Sequence, residues 1–236
     1  ALASVPATHE WWLWSWFWEE MIEGKPREAL RRLDAAPQEW IRQKMWAMPK
    51  SLLAGLAHQA LGEKEAARAA FEAARPLLED EIAQHPDDAR LHSSLGIAYA
   101  ALGRKGDAVR EGLRATALLP LEKDAMYGFP HLNDLFLIYA ITGSDDEALR
   151  TLERMLTVPS FVSRSWLRGI PEWARLRKDP RFEALRSAGD VIERAVGVRL
   201  LVIDGRGDDP AVDAHDRGRE FYGSRGAQEV ADHRFI

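Results

Sequence analysis

A recurring spacing of two glycines constrains the fold of this chain more than any other feature of its sequence. Residues 55–62 and 96–103 both run Gly, six residues, Gly, with Leu immediately before the second Gly. An Ala follows each second Gly by five residues and another Ala by twelve. These alanines are Ala67, Ala74, Ala108 and Ala115. A repeat of this length is typical of proteins that stack one small structural unit several times.

Two weaker copies extend the pattern to about four units. The third copy comprises Tyr139, Gly143, Ala148, Met155 and Pro159. The fourth comprises Gly24, Ala29, Leu33 and Ala36. Since each half of a unit carries apolar residues at three- and four-residue spacing, each half is predicted to be an amphipathic helix.

The residues between the two halves of a unit predict tight turns. A Gly can adopt the left-handed conformation that ends a helix, so the second Gly marks the end of the first helix. Residues 144–147, Ser-Asp-Asp-Glu, match a capping box that opens the next helix. Gly96 and Ala108 are expected to face each other where two helix axes approach closely. The sequence therefore predicts an all-α fold of about four helix pairs.

The same residues resemble a known family. Leu95-Gly96-x-x-Tyr99, with Gly103, Ala108, Ala115 and Pro120, is similar to the tetratricopeptide repeat (TPR) signature. The resemblance extends over about residues 21–185 and implies a right-handed α-α superhelix with a helical C-terminal cap. Residues 85–99, 133–135 and 179–182 further resemble the TPR module of bacterial multidomain signalling proteins. In that group the module lies C-terminal to a DNA-binding, kinase or cyclase domain.

The chain also departs from the TPR pattern. Its units recur at about forty residues, whereas a TPR repeats at about thirty-four. Between Ala74 and Pro86 the second helix is predicted to gain about seven residues, roughly two turns, with Pro76 inside it. After Pro120 the extra residues are predicted to form a loop at Leu121–Phe129.

Two domains are expected, a superhelix with its cap at residues 1–195 and a poorly structured tail at 196–236. Asp179-Pro180 predicts the start of the cap helix, with Asp as N-cap and Pro in the first turn. Four apolar residues are expected to close the open end of the superhelix: Trp166, Trp173, Leu176 and Phe182. Within the tail, Val198–Ile203 is a candidate strand.

Five tryptophans near the N-terminus admit two interpretations. They are Trp11, Trp12, Trp14, Trp16 and Trp18. One interpretation is a core helix packed against residues 24–36 and 40–48. The other is a self-association patch, covered by an upstream repeat, a second chain or a membrane surface. Because helical geometry spreads five indoles around the axis, at least two are predicted to be substantially exposed.

Composition excludes several classes of function. The chain has no Cys, so disulfides, thiolate metal sites and cysteine nucleophiles are ruled out. A net charge of -5 offers no basic stripe for nucleic acid. The apolar run at residues 11–18 is too short to span a bilayer. No catalytic residues, metal or cofactor are predicted. Asp88 and His92 could share a helix face and bind a cation, but capping or solvation is the alternative.

The remaining prediction is protein binding in a concave groove lined by the first helices of the pairs. Counting along the repeat assigns eight residues to this groove: Leu52, Leu56, Gln59, Arg90, Ser93, Ile97, Asn133 and Leu137. The alternative for each is ordinary packing between helices. We expect a non-catalytic module that binds a protein segment, as scaffold or sensory part of a bacterial regulator. Competing hypotheses are a fragment of a larger regulatory enzyme or transcription regulator, and a homodimerising module. A cytoplasmic location is expected, with the periplasm as the alternative.

Overall fold

The computed structural model describes residues 10–158 and 175–185, with side chains from Leu13 onward. Apart from one short hairpin, the described residues are helical or lie in turns. Eight α-helices, α1 to α8, span Glu10–Ile22, Pro26–Ala35, Lys50–Ala60, Lys64–Gln84, Ala89–Ala101, Lys105–Leu118, Ala125–Thr142 and Asp145–Met155. Each helix contacts the next one along the chain, and α5 also contacts α7. The predicted all-α class is confirmed.

Four glycines divide the eight helices into four pairs. Gly24, Gly62, Gly103 and Gly143 each follow the first helix of a pair with φ between +73° and +78°. They lie 38, 41 and 40 residues apart. The residue after each Gly donates its backbone N–H to the carbonyl five residues earlier, at 2.7–3.0 Å. This bond satisfies a helix-end carbonyl and requires the left-handed residue between, so glycine is selected at all four turns. The expected four pairs are confirmed.

Small side chains set the spacing within the pairs. The residue five positions after each turn glycine is Ala29, Ala67, Ala108 or Ala148, and all four are buried. A Cβ added to Gly96 would lie 3.2 Å from the Ala108 carbonyl oxygen and 2.6 Å from Ile138 Cδ1. The predicted contact between Gly96 and Ala108 is therefore confirmed, and α7 packs into the same place.

A two-stranded hairpin between the first and second pairs was not predicted. Strand β1, Trp40–Arg42, pairs antiparallel with β2, Ala47–Pro49, in the register Ile41 to Met48. Two residues of α5 hold it. Arg90 Nη1 donates to the Gln43 carbonyl oxygen at 2.6 Å, and Ser94 Oγ donates to the Ala47 carbonyl oxygen at 2.9 Å. Residues 43–46 contain no Gly, Pro, Asn or Asp, so the usual signal for a hairpin turn is missing.

The lengths of the second helices agree with prediction. Helix α4 has 21 residues and α6 has 14, the expected excess of seven, and α4 continues through Pro76.

The loop predicted at Leu121–Phe129 is wrong over its second half. Helix α7 begins at Ala125, because Asp124 Oδ1 accepts the backbone N–H groups of Met126 and Tyr127 at 3.0 and 2.9 Å. Gly128 fits there because an added Cβ would lie 2.9 Å from the Pro120 carbonyl group. The capping box at Ser144 is also wrong. Helix α8 begins at Asp145, but the Ser144 side chain makes no capping hydrogen bond.

The segment after the repeats caps the last pair. A 3-10 helix spans Leu176–Lys178, and residues 180–185 are helical. Asp179 is the predicted N-cap, since its Oδ1 accepts the Arg181 backbone N–H at 2.8 Å. Leu176 and Phe182 are buried against α7 and α8, which confirms two of the four predicted capping residues. Trp166, Trp173, the rest of the predicted cap helix, the 196–236 tail and its candidate strand lie outside the described residues.

Candidate functional site

The structure divides the eight predicted groove residues into two sets. Five are buried in the helix interfaces, where no partner reaches them: Leu52, Leu56, Ser93, Ile97 and Leu137. For these five the alternative of ordinary packing is correct, because the helices that carry them are covered by their neighbours. Gln59, Arg90 and Asn133 are partly exposed. Contact of these three with a partner stays a prediction.

Arg90 is engaged in holding the fold. Its guanidinium pairs with both carboxylate oxygens of Asp88, at 2.9 Å to Oδ1 and 2.6 Å to Oδ2, and also binds the hairpin carbonyl described above. Burial alone would raise the pKa of Asp88, but the hydrogen bonds and charge of Arg90 lower it. Asp88 also caps α5, since its Oδ1 accepts the Arg90 backbone N–H at 3.0 Å. Arg90 therefore joins the hairpin to α5.

A buried polar cluster lies beneath the predicted groove, where α5 meets α7. Ser93 Oγ is 2.9 Å from His131 Nδ1, and both residues are 1% exposed. The Ser93 hydroxyl also acts on the buried Asp134 carboxyl, whose pKa it lowers. Asn133 Nδ2 lies 3.5 Å from Asp134 Oδ1, and Asp134 Oδ2 has no hydrogen-bond partner among the described residues.

Burial perturbs both titratable groups of this cluster. It raises the pKa of Asp134 to about 7 and lowers the pKa of His131 to about 4. The serine lies between the imidazole and the carboxyl, whereas a nucleophilic triad places the imidazole between the other two. The hydroxyl is also inaccessible to any substrate in this conformation. The cluster is thus a polar joint between the third and fourth pairs.

Asp88 and His92, considered above as a possible cation pair, make separate contacts. His92 Nδ1 is 2.7 Å from Glu111 Oε2, and His92 Nε2 is 2.9 Å from the Pro86 carbonyl oxygen. Asp88 serves as the cap of α5. The capping alternative is confirmed, and the part of the chain that the structure describes contains no cluster of three or more His, Asp or Glu able to hold a metal.

The N-terminal tryptophans that can be located are partly buried. The Trp14 ring stacks on Trp46 at 4.0 Å between centroids, and Trp14 and Trp18 pack against the core. The Arg32 guanidinium lies 5.1 Å from the Trp16 ring centroid. This part of α1 packs as the core-helix interpretation expects, against α2 and the hairpin segment. The prediction that at least two of the five tryptophans are substantially exposed stays a prediction, because it now depends on Trp11 and Trp12. The side chains of Trp11 and Trp12 lie outside the described residues.

An open depression of about 310 Å³ lies where the ends of three first helices come together. Its walls come from the carboxyl ends of α3, α5 and α7 and the first two turns of α4. Its apolar lining, which we call the floor, consists of Ala67, Phe71, Ala101, Leu102 and Ile141. Its polar lining, which we call the rim, consists of the more exposed side chains of Gln59, Lys64 and Arg68. Of the predicted groove residues, Gln59 lines this depression.

The cations on the rim were missed by the analysis of the sequence. Lys64 and Arg68 are exposed, and the side chain of neither forms a hydrogen bond or ion pair with a residue that the structure describes. The repeat itself carried a signal. The residue six positions after the turn glycine is apolar and packs against the core in the other three pairs, whereas in α4 it is Arg68. Those apolar residues are Leu30, Val109 and Leu149.

Among the described residues, no helix is both long and apolar enough to cross a membrane. Comparison with protein-family models, with curated proteins and with solved structures returned no match. The TPR assignment accordingly stays a prediction that rests on the repeated residues.

Proposed function

We propose that this chain is a TPR-like, non-catalytic module that binds a segment of another protein. In this proposal the four helix pairs stack into a right-handed superhelix, and the module is the scaffold or sensory part of a bacterial regulator. Two features support it. Contacts run mainly between helices adjacent along the chain. The four pairs also share the same turn and the same buried alanine. Both features are typical of repeat proteins that use an extended surface for binding.

The depression formed by successive pairs is the observation that carries this proposal. Gln59, Leu102 and Ile141 come from equivalent ends of α3, α5 and α7, so the stacking of repeats itself creates the site. The floor is apolar and the depression is open to solvent. A protein segment can lie across such a surface with one side chain inserted, whereas small-molecule sites usually enclose most of their ligand. Contact is therefore expected here rather than at the buried groove residues.

A bulky side chain in the depression should abolish binding. The folded chain would be used to select binders from a random peptide library, and their affinities measured by fluorescence anisotropy. Ala101→Trp, at the last residue of α5, should lower the affinity at least tenfold by occupying the floor. Ala117→Trp is the control, since Ala117 is exposed near the end of α6 and lies away from the depression.

Circular dichroism would verify that both variants stay helical. The depression would be rejected as the binding site if the selection yields no binders to the wild-type chain, or if the selected binders tolerate Ala101→Trp.

A further inference from the structure

We propose that the depression recognises an apolar side chain flanked by an acidic side chain of the same partner segment. The inference rests on the proposed function and adds the chemistry of the ligand. The apolar side chain would occupy the floor, and the Asp or Glu would pair with Arg68 and Lys64.

The floor is suited to an apolar side chain because its own side chains are all apolar and already partly shielded. Phe71 is 1% exposed at the bottom, and Ala101, Leu102 and Ile141 pack against the core while keeping one side open. A volume of about 310 Å³ lies at the lower end of the ~300–1,000 Å³ typical of ligand pockets. The depression can admit one large side chain of a ligand, whereas the surface of a folded domain would contact only its opening.

The rim adds charge to this apolar site. Lys64, Arg68 and Phe71 recur at intervals of four and three residues, so they share one face of α4. The nearby acids have other partners. Glu63 binds His58 at 2.7 Å and Arg27 at 3.1 Å, and Glu72 lies 3.3 Å from Arg75. Glu65 is exposed one residue along the helix and does not line the depression.

Among the residues that the structure describes, an arginine without an ion pair is unusual, although most of the described lysines have none. The chain carries 37 acidic against 32 basic residues, and most described arginines lie in ion pairs, as Arg75 does with Glu79 and Arg104 with Asp107, whereas Arg68 does not. Two adjacent cations without partners beside an apolar floor therefore form a positive spot on an acidic protein. Such a spot complements a carboxylate on the ligand.

Comparison of the four helix pairs also supports a ligand with an apolar side chain beside a carboxylate. At the position of Arg68, the other three pairs have an apolar residue packed on the core. In α4 that packing is missing, and a cation lies beside the open space instead. An apolar side chain from the partner would supply the missing packing. A repeat that breaks its own pattern at one residue is expected at a binding site.

The test uses an array of short peptides in a Gly-Ser background. A central position carries each amino acid in turn, and the flanking position carries Glu, Gln or Lys. Labelled wild-type chain should prefer Leu, Met or Phe at the centre, and Glu over Gln over Lys at the flank. Arg68→Glu should reverse the order of the flanks, with affinity for the Glu peptide falling on the order of tenfold. Added salt should weaken the preference of the wild-type chain.

Two further variants separate charge from fold. Arg68→Leu restores the residue type of the other repeats, so it should keep or raise the thermal midpoint while losing the preference for Glu. Lys105→Glu is the matched control for Lys64→Glu. Both lysines begin the second helix of their pair, but only Lys64 lines the depression. Lys105→Glu should therefore leave the ranking of the flanks unchanged.

The outcomes distinguish this inference from the proposed function. In one outcome, peptides bind the wild-type chain and lose their binding on Ala101→Trp, yet rank the flanking residues in the same order with Arg68→Glu as with wild type. That result would overturn the inference and leave the proposed function standing. A chain that binds no peptide in the array or the random library would overturn the proposed function as well. Self-association of the wild-type chain that Arg68→Glu abolishes would identify a second copy as the occupant and would also overturn the inference.

Discussion

Helices α5 and α6 approach closely at Gly96 and Ala108. Ala108 is fully buried, and its carbonyl oxygen lies 3.2 Å from the place where a Cβ on Gly96 would be. Ile138 from α7 occupies the remaining space, with its Cδ1 2.6 Å from that place. Because Gly96 and Ala108 are small, α5 and α6 approach closely in this pair and Ile138 of α7 packs beside them.

Ala108→Leu should destabilise the chain by roughly 1–3 kcal/mol, because the added methylenes overpack this contact. Chemical denaturation followed by circular dichroism measures the change. Ala117→Leu is the control in the same helix; since Ala117 is exposed, its effect should stay within about 0.5 kcal/mol. Equal effects at the two positions would show that the contact is not tight.

At the scale of elements, the β1–β2 hairpin supplies cover for α1 that the first helix pair lacks. Trp46, at the end of the hairpin turn, is 8% exposed and stacks on Trp14. Lys50, which begins α3, donates its Nζ to the carbonyl oxygens of Leu33 and Ala36 at 3.0 and 2.6 Å. The hairpin therefore covers α1, while the start of α3 holds the end of α2.

Trp46→Ala should cost roughly 3–5 kcal/mol, as expected for loss of a buried Trp. The loss should appear first in α1, where limited proteolysis would cleave earlier than in the wild type. Trp40→Ala is the control within the same hairpin. Its ring is only half-buried and is covered by Arg42, whose guanidinium lies 4.1 Å from the centroid. The prediction is contradicted if Trp40→Ala exposes α1 as readily as Trp46→Ala.

The elements that the sequence predicts well are those with a local signal. The turn glycines and the buried alanines act within one helix pair, so their spacing is enough to locate the pairs. The start of α7 was missed because the residues in excess of the repeat after Pro120 were assigned to a loop, whereas Asp124 caps a helix of 18 residues that continues through Pro130. The hairpin was missed because its anchors, Arg90 and Ser94, lie 47 residues from the backbone they bind.

For the candidate site too, the sequence predicts well only the features that have a local signal. Counting along a repeat identifies which residues lie on first helices, but the burial of Leu52 and Ile97 depends on how closely neighbouring helices approach. The depression requires three helix ends and the face of α4 together, so no single segment predicts it. Arg68 alone carried a local signal, as a cation at a position that is apolar in the other pairs.

At the scale of the whole molecule, two buried titratable groups oppose each other in the stability of the fold. The pKa of Asp134 rises from 3.8 to about 7, mainly by burial, although Ser93 and Asn133 hydrogen-bond it. Between these pH values the folded chain holds a proton that the unfolded chain has released, so this contribution to stability falls as pH rises. The pKa of His131 falls from 6.5 to about 4, by burial and the charge of Arg90, while Asp88 opposes the shift.

Between about pH 4 and pH 6.5 the unfolded chain therefore holds a proton on His131 that the folded chain lacks. That contribution to stability rises with pH, opposite in sign to the contribution of Asp134. The two windows overlap, so the two slopes largely cancel in the wild-type chain. A substitution that removes one group should expose the slope of the other.

Asp134→Asn should stabilise the chain by roughly 4 kcal/mol at about pH 8, where the wild type must keep a buried carboxylate ionised. The gain should become small towards pH 4, where the folded chain keeps its proton and the unfolded carboxyl approaches its pKa of 3.8. His131→Gln should do the reverse. Its stability relative to wild type should improve by roughly 3 kcal/mol as pH falls from about 7 to 4, because the buried imidazole no longer resists protonation.

Urea denaturation of the three proteins across this range measures both effects as differences from wild type, so the carboxylates common to all three cancel. Ser93→Ala keeps both titrating groups but removes the hydroxyl that lowers the pKa of Asp134. Its stability relative to wild type should therefore fall above about pH 7, opposite in sign to the effect of Asp134→Asn and smaller. If the Asp134→Asn difference is the same at pH 8 and pH 4, the carboxyl does not retain its proton in the folded chain. The polar joint between α5 and α7 would then be open to water rather than sealed by the packing of the third and fourth pairs.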